Sequence, residues 1–450
     1  MDLFLIFNQN SKTMIDRRNF LLATAGSLTA LDLFSKIDKG FTKQLEKNLN
    51  KLENMSLDAS AENEDFWGWV RQSYTVSPNI INLNNGGVSP QAKVVQDAHI
   101  RFYQYSNEAP SYYMWRILDQ GREGLREKLA NLCGVLPEEI AINRNATEGL
   151  NTVIFGLNLK AGDEVVLSTF DYPNMMNAWK QREKRDKIKL VWINIPQPLE
   201  DEKAIVKLYQ DSITSKTKIV HITHMINWTR NFVPTKAIAD MAHAKGCEVI
   251  VDGAHSFAQI DFKIEDTGAD YFATALHKWL GAPFGTGLLY IKKEKIKNIW
   301  ALLSSVDPDG GDIKKFESLG TRSFAAEMAI GTAVEFHNLI GGKRKEARLR
   351  YLKNYWTEKA VKLPKAKLFT AVKPEFSCAV ATFGFEGWQA QQIDAKLMEK
   401  HKVHCVSMIL EKVNGVRIAP NVYTNTQDLD ILVKGLTEIS KMDPPPAPPK

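Results

Sequence analysis

The stretch GCEVIVDGAHSFAQIDFKIEDTGADYFATALHKWLGAPFGTGLLYI, residues 246–291, decides the fold. Three short apolar, partly β-branched runs stand in it: CEVIVDGAH, ADYFATAL and GTGLLYI. Each has the length of a strand, and Gly, Asp or Pro punctuates the chain between them. Two of the runs break off at residues an apolar strand does not need. Asp252 ends the first. His277 and Lys278 end the second, after which Trp279 and Leu280 restore the apolar character. A lysine or aspartate is almost never fully buried unless it is paired or has a task.

The same punctuation continues towards the N-terminus. GREGLREKLANLCG reads as a helix closed by Gly134, EEIAINRN as a short strand, and TEGLNTVIFGLNL as a helix. DEVVLST, KLVWINI and KIVHITHM read as further strands, with helical LEDEKAIVKLYQDSI and TKAIADMAHAKG between them. Apolar strands alternating with helices indicate an α/β domain with a mainly parallel sheet covered on both faces. After about residue 330 the texture changes. One long helical run, AIGTAVEFHNLIGGKRKEARLRYLKNYWTEKAV, leads to strands around SCAVATFGF and VHCVSM and to a last helix, TQDLDILVKGLTEISK. These features predict a large domain over 85–325 and a smaller α+β domain over 326–442. A segment over 61–84 is expected to pack near the smaller domain, and a disordered proline-rich tail over 443–450 follows.

Length and composition bound the function. The 450 residues are 44% hydrophobic and 24% charged, with a net charge of +6. This is an ordinary globular balance. The basic residues form no long block, which argues against a nucleic-acid partner; the density in KQREKRDKIKL (180–190) reads as an exposed helix end. Cys133, Cys247, Cys378 and Cys405 lie far apart with no metal-ligand spacing, and they read as small buried apolar side chains. No metal site is expected. Residues 1–60 read as a signal and linker. Arg17 and Arg18, followed by Phe20, Leu21 and a mildly apolar run, resemble a twin-arginine export signal, with Met14 as a candidate start. The run is too short and polar for a stable membrane span. Export to the periplasm is the expectation, and a cytoplasmic protein with a basic N-terminal arm is the alternative.

Ligands of open α/β sheets sit at the carboxyl ends of the strands, and the polar breaks fall there. In INRNATEGLN a strand gives way to a helix N-terminus at Ala146 and Thr147, whose free N–H groups suit a phosphate. Asp252 suits a protonated ring nitrogen. Lys278, at the end of the next strand, suits Schiff-base formation, because a desolvated amine loses its proton readily. Each feature alone has an ordinary structural reading: an N-cap, an Asx turn, a snorkelling lysine. Together, in this order, they match pyridoxal 5′-phosphate, which needs its phosphate held, its pyridine nitrogen paired and its aldehyde joined to an amine.

With LNNGGVSP, RNATEGLN, FDYPN, VDGAHS, LHKWLGAPFGTGLLY, GTRSFA and RIAPNVYTN, the chain resembles the class V branch of fold-type I pyridoxal-phosphate enzymes over residues 78–440, in its isopenicillin N epimerase-like group. The resemblance implies roles for single residues. Lys278 carries the cofactor and moves the proton, Asp252 holds the pyridinium, and Tyr172 stacks on the ring. Ala146, Thr147 and His277 bind the phosphate, and Thr321 reaches the phosphate in a partner subunit of a homodimer. Asn227 and His255 lie near the 3-hydroxyl, and Arg417 clamps a substrate carboxylate. Trp228, Tyr112, Tyr113 and Trp115 are candidates for the substrate entrance or for packing. Ala275 departs from the pattern, since relatives often carry Ser or Asn there. Cys405 falls inside an apolar alternation, which disfavours the mobile nucleophile of a cysteine desulfurase. The substrate class implied is an amino acid or another small amino-group carboxylate. Aminotransferase-like activity comes first, an epimerase or racemase second, a C–S or β-lyase third. The non-enzyme alternative is a cofactor-free binding protein.

Overall fold

The computed structural model describes residues 55–446. Its strands, in chain order, are β1 (Ile81–Asn82), β2 (Ile140–Asn143), β3 (Glu164–Ser168), β4 (Lys189–Ile193), β5 (Thr217–Thr223), β6 (Glu248–Asp252), β7 (Tyr271–Ala275), β8 (Gly287–Ile291), β9 (Ala366–Leu368), β10 (Ala381–Phe385), β11 (Val403–His404), β12 (Val406–Leu410) and β13 (Val413–Ile418). The main helices are α1 (Leu57–Glu62), α2 (Glu64–Gln72), α3 (Lys93–Glu108), α4 (Asp119–Cys133), α5 (Ala146–Gly156), α6 (Pro173–Asp186), α7 (Glu202–Ser212), α8 (Thr235–Ala244), α9 (Phe324–Ile340), α10 (Gly342–Ala360), α11 (Ala390–His401) and α12 (Thr426–Ser440).

Seven strands form one sheet in the order β2-β8-β7-β6-β5-β3-β4. Only β8 runs antiparallel to its neighbours. Strands β2, β7 and β8 are buried at every position, which is why they read as continuous apolar runs rather than alternations. Val153, Ile154, Leu167, Trp179, Ile219 and Ile250 lie in the core of this sheet. The carboxyl ends of β2, β3, β5, β6 and β7 lie along one edge, and each is followed by a loop carrying polar side chains.

A second, antiparallel sheet runs β12-β13-β10-β9, and β1 pairs in parallel with β11. Trp356, Phe383, Val416, Leu429 and Leu432 are in its core. Segment 57–82 belongs to this side of the molecule: Arg348 of α10 is fully buried, bonds Glu64 at 2.6 Å and lies over the Trp67 ring.

The structure differs in detail from the sequence reading. The long helical run after residue 329 is two helices, broken at Gly341, whose φ of 89° suits glycine. Helix α9 packs on α3 and α4, and α10 on α1 and α12, so the change of packing partners falls at Gly341 rather than near residue 325. VHCVSM is not one strand: the chain leaves β1 after His404 and joins the other sheet at Val406, with Cys405 in the break. Arg182, in the run read as an exposed helix end, is buried and donates to the carbonyls of Ile154 and Leu157. The tail is placed as far as Pro446, and Gln392 donates to the Pro445 and Pro446 carbonyls at 3.2 and 3.0 Å. Arg17, Arg18 and residues 447–450 lie outside the described residues. The cysteines at 133, 247, 378 and 405 are buried free thiols, as read. Among the described residues no helix is long and apolar enough to cross a membrane, and no metal-ligand cluster occurs.

Candidate active site

The polar strand ends meet around one cavity of about 520 Å³, within the usual size of a small-molecule site. Ala146, Thr147, Tyr172, Asn227, Asp252, His255, His277, Lys278 and Arg417 all line it. Thr321 does not; it is exposed in the loop between Ser318 and Ser323.

One end of the cavity is the N-terminus of α5. The Asn145 side chain caps it by accepting the Glu148 N–H at 2.9 Å. Helix geometry leaves the N–H groups of Ala146 and Thr147 to serve a ligand. This corner admits no extra carbon beneath it. A Cβ on Gly149 would stand 2.6 Å from Asn143 Nδ2 and 2.9 Å from the Ala273 Cβ, and one on Gly287 would stand 2.6 Å from the Asn145 nitrogen. His277 is fixed beside it through Nδ1 and the Thr286 carbonyl at 3.0 Å.

Asp252 closes β6. It is 4% exposed, and one carboxylate oxygen accepts the Ala254 N–H at 2.9 Å. Burial raises its pKa, against that hydrogen bond and the charge of Lys278. It has no direct ion pair among the described residues. A second buried carboxylate, Asp171, stands behind. It accepts the Thr223 hydroxyl at 2.6 Å, and burial pushes its pKa up to about 7.

Lys278 follows β7, and its exposed part faces the cavity it lines. Desolvation pulls its pKa down to about 7; Asp252 opposes this, and the charges of Arg230 and Arg417 add to it. Its Nζ is 3.3 Å from His255 Nε2. The imidazole is held well below its ordinary range, by burial first and by Lys278 next, and in the neutral form with Nδ1 protonated its Nε2 can accept from the amine. This is an amine with an unprotonated fraction at neutral pH, as Schiff-base and proton-transfer chemistry require.

Arg417 comes from the other sheet, on β13. It is 6% exposed. It donates to Asn84 Oδ1 at 2.6 Å and to Asn227 Oδ1 at 3.2 Å, with Gly86 and Gly87 packed beside it. Its Nε is buried without a partner among the described residues. A guanidinium with neutral partners only, aimed at a cavity, is a carboxylate site.

Asn84, Gly86, Gly87, Thr223, Arg230 and Met408 also belong to this neighbourhood and were not singled out as site residues from sequence. The sole signal was the NNGG turn. Trp228 lines the cavity, with its indole N–H buried and unpartnered among the described residues. Tyr112, Tyr113 and Trp115 do not line it; they lie on the helical turn over 110–118, with Tyr112 and Trp115 exposed.

The family model for aminotransferase class-V matches residues 81–432. The chain belongs to that family. This class-V chain is 25% identical over 393 residues to an isopenicillin N epimerase of Streptomyces clavuligerus, covering 83% of the chain and 98% of the relative. It is 27% identical over 370 residues to a probable cysteine desulfurase of Halalkalibacterium halodurans, covering 76% and 87%. Among solved structures it is similar to the apo cysteine desulfurase of Thermococcus onnurineus, with a TM-score of 0.74, 21% identity and coverage of 84% and 98%. It is also similar to a C-DES mutant with glycine covalently linked to its PLP-cofactor, with a TM-score of 0.73, 19% identity and coverage of 82% and 99%. These likenesses show the fold, which is fold-type I. The protein is a class-V pyridoxal-phosphate enzyme, and its cofactor is pyridoxal 5′-phosphate. The donor set fits that group. A helix N-terminus that admits no added Cβ can take the phosphate, buried Asp252 with a spare oxygen can take the ring nitrogen, and Lys278 offers an amine of low proton affinity.

Proposed function

We propose that the enzyme acts at Cα of a small α-amino acid, and that its reaction is of the aminotransferase type. When bound, pyridoxal 5′-phosphate supplies an aldehyde for the amino group and an electron sink for the Cα–H bond electrons. The protein's part follows from its side chains. Arg417, with Asn84 and Asn227, takes the substrate carboxylate and so fixes which face of Cα meets the amine of Lys278. Lys278 takes the Cα proton and can return it elsewhere, because its affinity for a proton near neutrality is balanced. His255 accepts a hydrogen bond from that amine and orients it. With the cofactor in place, Asp252 would pair with its ring nitrogen, Tyr172 would lie against its ring, and Ala146, Thr147 and His277 would hold its phosphate. The observation that carries the reading is the placement of Arg417 and Lys278 on one cavity, a carboxylate clamp facing a single amine base.

A second reading, epimerisation, is supported by the isopenicillin N epimerase relatives and by Tyr172, a 39% exposed phenol at the cavity that could serve as an opposing acid. A desulfurase reading is disfavoured. Cys405 is buried and hydrogen-bonds Asp394, and burial and that carboxylate raise its thiol well above the ordinary range, so it is no thiolate nucleophile. Incubating the enzyme with single L-amino acids in D2O separates these outcomes. Keto acid, formed in proportion to an added keto-acid acceptor, supports transamination. Inverted, deuterated amino acid without keto acid would replace it by epimerisation, and sulfide from cysteine by a lyase.

The same reading includes a homodimer, in which Thr321 serves the neighbouring site. It is supported by exposed Tyr103, Tyr112, Trp115, Phe284 and Trp300 on one chain. Sedimentation showing an active monomer would refute it. Export through Arg17 and Arg18 is proposed from the signal-like N-terminus. Unchanged cell fractionation after replacing both with Lys would refute that.

A further inference from the structure

Beside Asn227 stands a cation with no carboxylate partner among the described residues. Arg230 is 0% exposed, and its guanidinium makes one bond, from NH2 to Asn227 Oδ1 at 3.1 Å; its Nε and NH1 are buried without partners. Two other buried arginines of this chain, Arg126 and Arg348, are held by carboxylates: Arg126 bonds Glu317 at 2.7 Å and Arg348 bonds Glu64 at 2.6 Å. Among the described residues Arg230 has no such ion pair. The charges it interacts with are those of Arg417 and Lys278, both of its own sign. Its backbone is left-handed, with φ of 66° at the end of a tight turn in which the Arg230 N–H donates to the Ile226 carbonyl at 3.0 Å. Glycine takes that conformation freely and arginine does not. A buried charge without a counter-charge, on an unfavourable backbone, costs stability, so a purely structural role does not account for it.

What it does can be read from Asn227. The amide oxygen of that residue receives two guanidinium groups, Arg230 at 3.1 Å and Arg417 at 3.2 Å. A side-chain amide has one acceptor end and one donor end. Two cationic donors can be met only by the oxygen, so the NH2 group is left for the cavity that Asn227 lines. We propose that Arg230 is a positioning residue of the substrate-carboxylate site: it locks Asn227 with its NH2 turned to the substrate and adds a buried positive charge behind the Arg417 clamp. The site then meets a carboxylate with one guanidinium, one oriented amide and a second positive charge in reserve. The inference rests on the reading of Arg417 as that clamp.

The test separates the two. The cofactor-free protein is titrated calorimetrically with propionate, a carboxylate without an amine, in the wild type and in Arg230→Met, Arg230→Lys and Arg417→Met. Loss of a charge-assisted contact weakens binding roughly tenfold to a hundredfold. Arg230→Met is expected to lose that much, and Arg230→Lys, which keeps the charge, to recover most of it. In the loaded enzyme Arg230→Met should raise KM for the amino acid more than it lowers kcat. Propionate binding equal to wild type in Arg230→Met, with loss in Arg417→Met, overturns the role of Arg230 alone. Binding equal to wild type in Arg417→Met overturns the clamp itself. If Arg230→Met does not fold, judged by circular dichroism, Asn227→Asp is decisive in its place. A carboxylate there neutralises both guanidinium groups and removes the NH2 donor, so propionate affinity must fall by the same range, and unchanged affinity refutes the proposal.

Discussion

Replacing Asp252 with Asn changes one atom and tests the site at its centre. The Ala254 N–H, 2.9 Å from one carboxylate oxygen, needs an acceptor. The variant amide must therefore turn its oxygen to Ala254 and its NH2 towards the ring nitrogen. A donor there cannot face a protonated nitrogen, so the ring loses its positive charge and much of its capacity to take up electrons. Removing one partner of a buried, hydrogen-bonded charge pair costs about 2–5 kcal/mol. The neutral hydrogen bond that replaces it returns about 1 kcal/mol. The remainder, about 1–4 kcal/mol, corresponds to a loss of roughly 5-fold to 1,000-fold in the rate of Cα proton removal. The assay is exchange of the substrate Cα proton in D2O, followed by NMR at saturating cofactor, which isolates proton removal from later steps. Cofactor affinity should fall far less, because the cradle at α5 is untouched. Exchange within about threefold of wild type would refute the pairing of Asp252 with the ring.

Lys278→Ala should abolish turnover and the borohydride-fixable attachment of cofactor to the chain, which intact-mass spectrometry reads directly; a retained covalent adduct would mean another amine is used. Gly149→Ala should weaken cofactor binding and lower stability by about 1–3 kcal/mol, because its Cβ meets Asn143 and Ala273 at 2.6 and 2.9 Å; a denaturation midpoint and cofactor affinity equal to wild type would contradict the tight corner. Lys345 is buried, with its amine on the Trp279 carbonyl, and desolvation pulls its pKa from 10.5 down to about 7. Below pH 7 both states hold the proton and the cost of burial is complete. Between pH 7 and about 10.5 the unfolded chain binds a proton that the folded chain has released, so stability rises with pH. Over pH 7–8.5, short of the ordinary thiol range, Lys345→Met should therefore reduce the upward slope of unfolding free energy by up to about 1.4 kcal/mol per pH unit, and an unchanged slope would refute the assignment.

The sheet and the heart of the site were legible because each depends on neighbours close in sequence. Asp252 and Lys278 interrupt apolar runs, and an apolar strand gives a polar residue no place except its end. The helix start at Ala146 showed itself through the small polar loop before it. Arg417 had no such local mark and entered through the family resemblance. Its partner Asn84 lies 333 residues away, a closeness that only the pairing of segment 81–84 with the second sheet creates. Arg230 was hidden for another reason: its lack of a counter-ion is a property of the folded surroundings. The break at Gly341 was obscured because apolar and basic residues continue on both sides in helical spacing. Thr321 reads as a cofactor residue only by resemblance, and within one chain it stands away from the cavity.

The two arms of this site have separate anchors. The amine and the carboxylate, Lys278 and Asp252, stand at the ends of adjacent strands of the seven-stranded sheet, Asp252 closing β6 and Lys278 just after β7. Arg417 and Met408 belong to a hairpin of the other sheet. Side chains along that hairpin other than Arg417, whose charge also acts on Lys278, can therefore be exchanged while the reacting pair keeps its spacing. For an engineer, β12–β13 is the place to alter taste, and the ends of β6 and β7 are the place to leave alone.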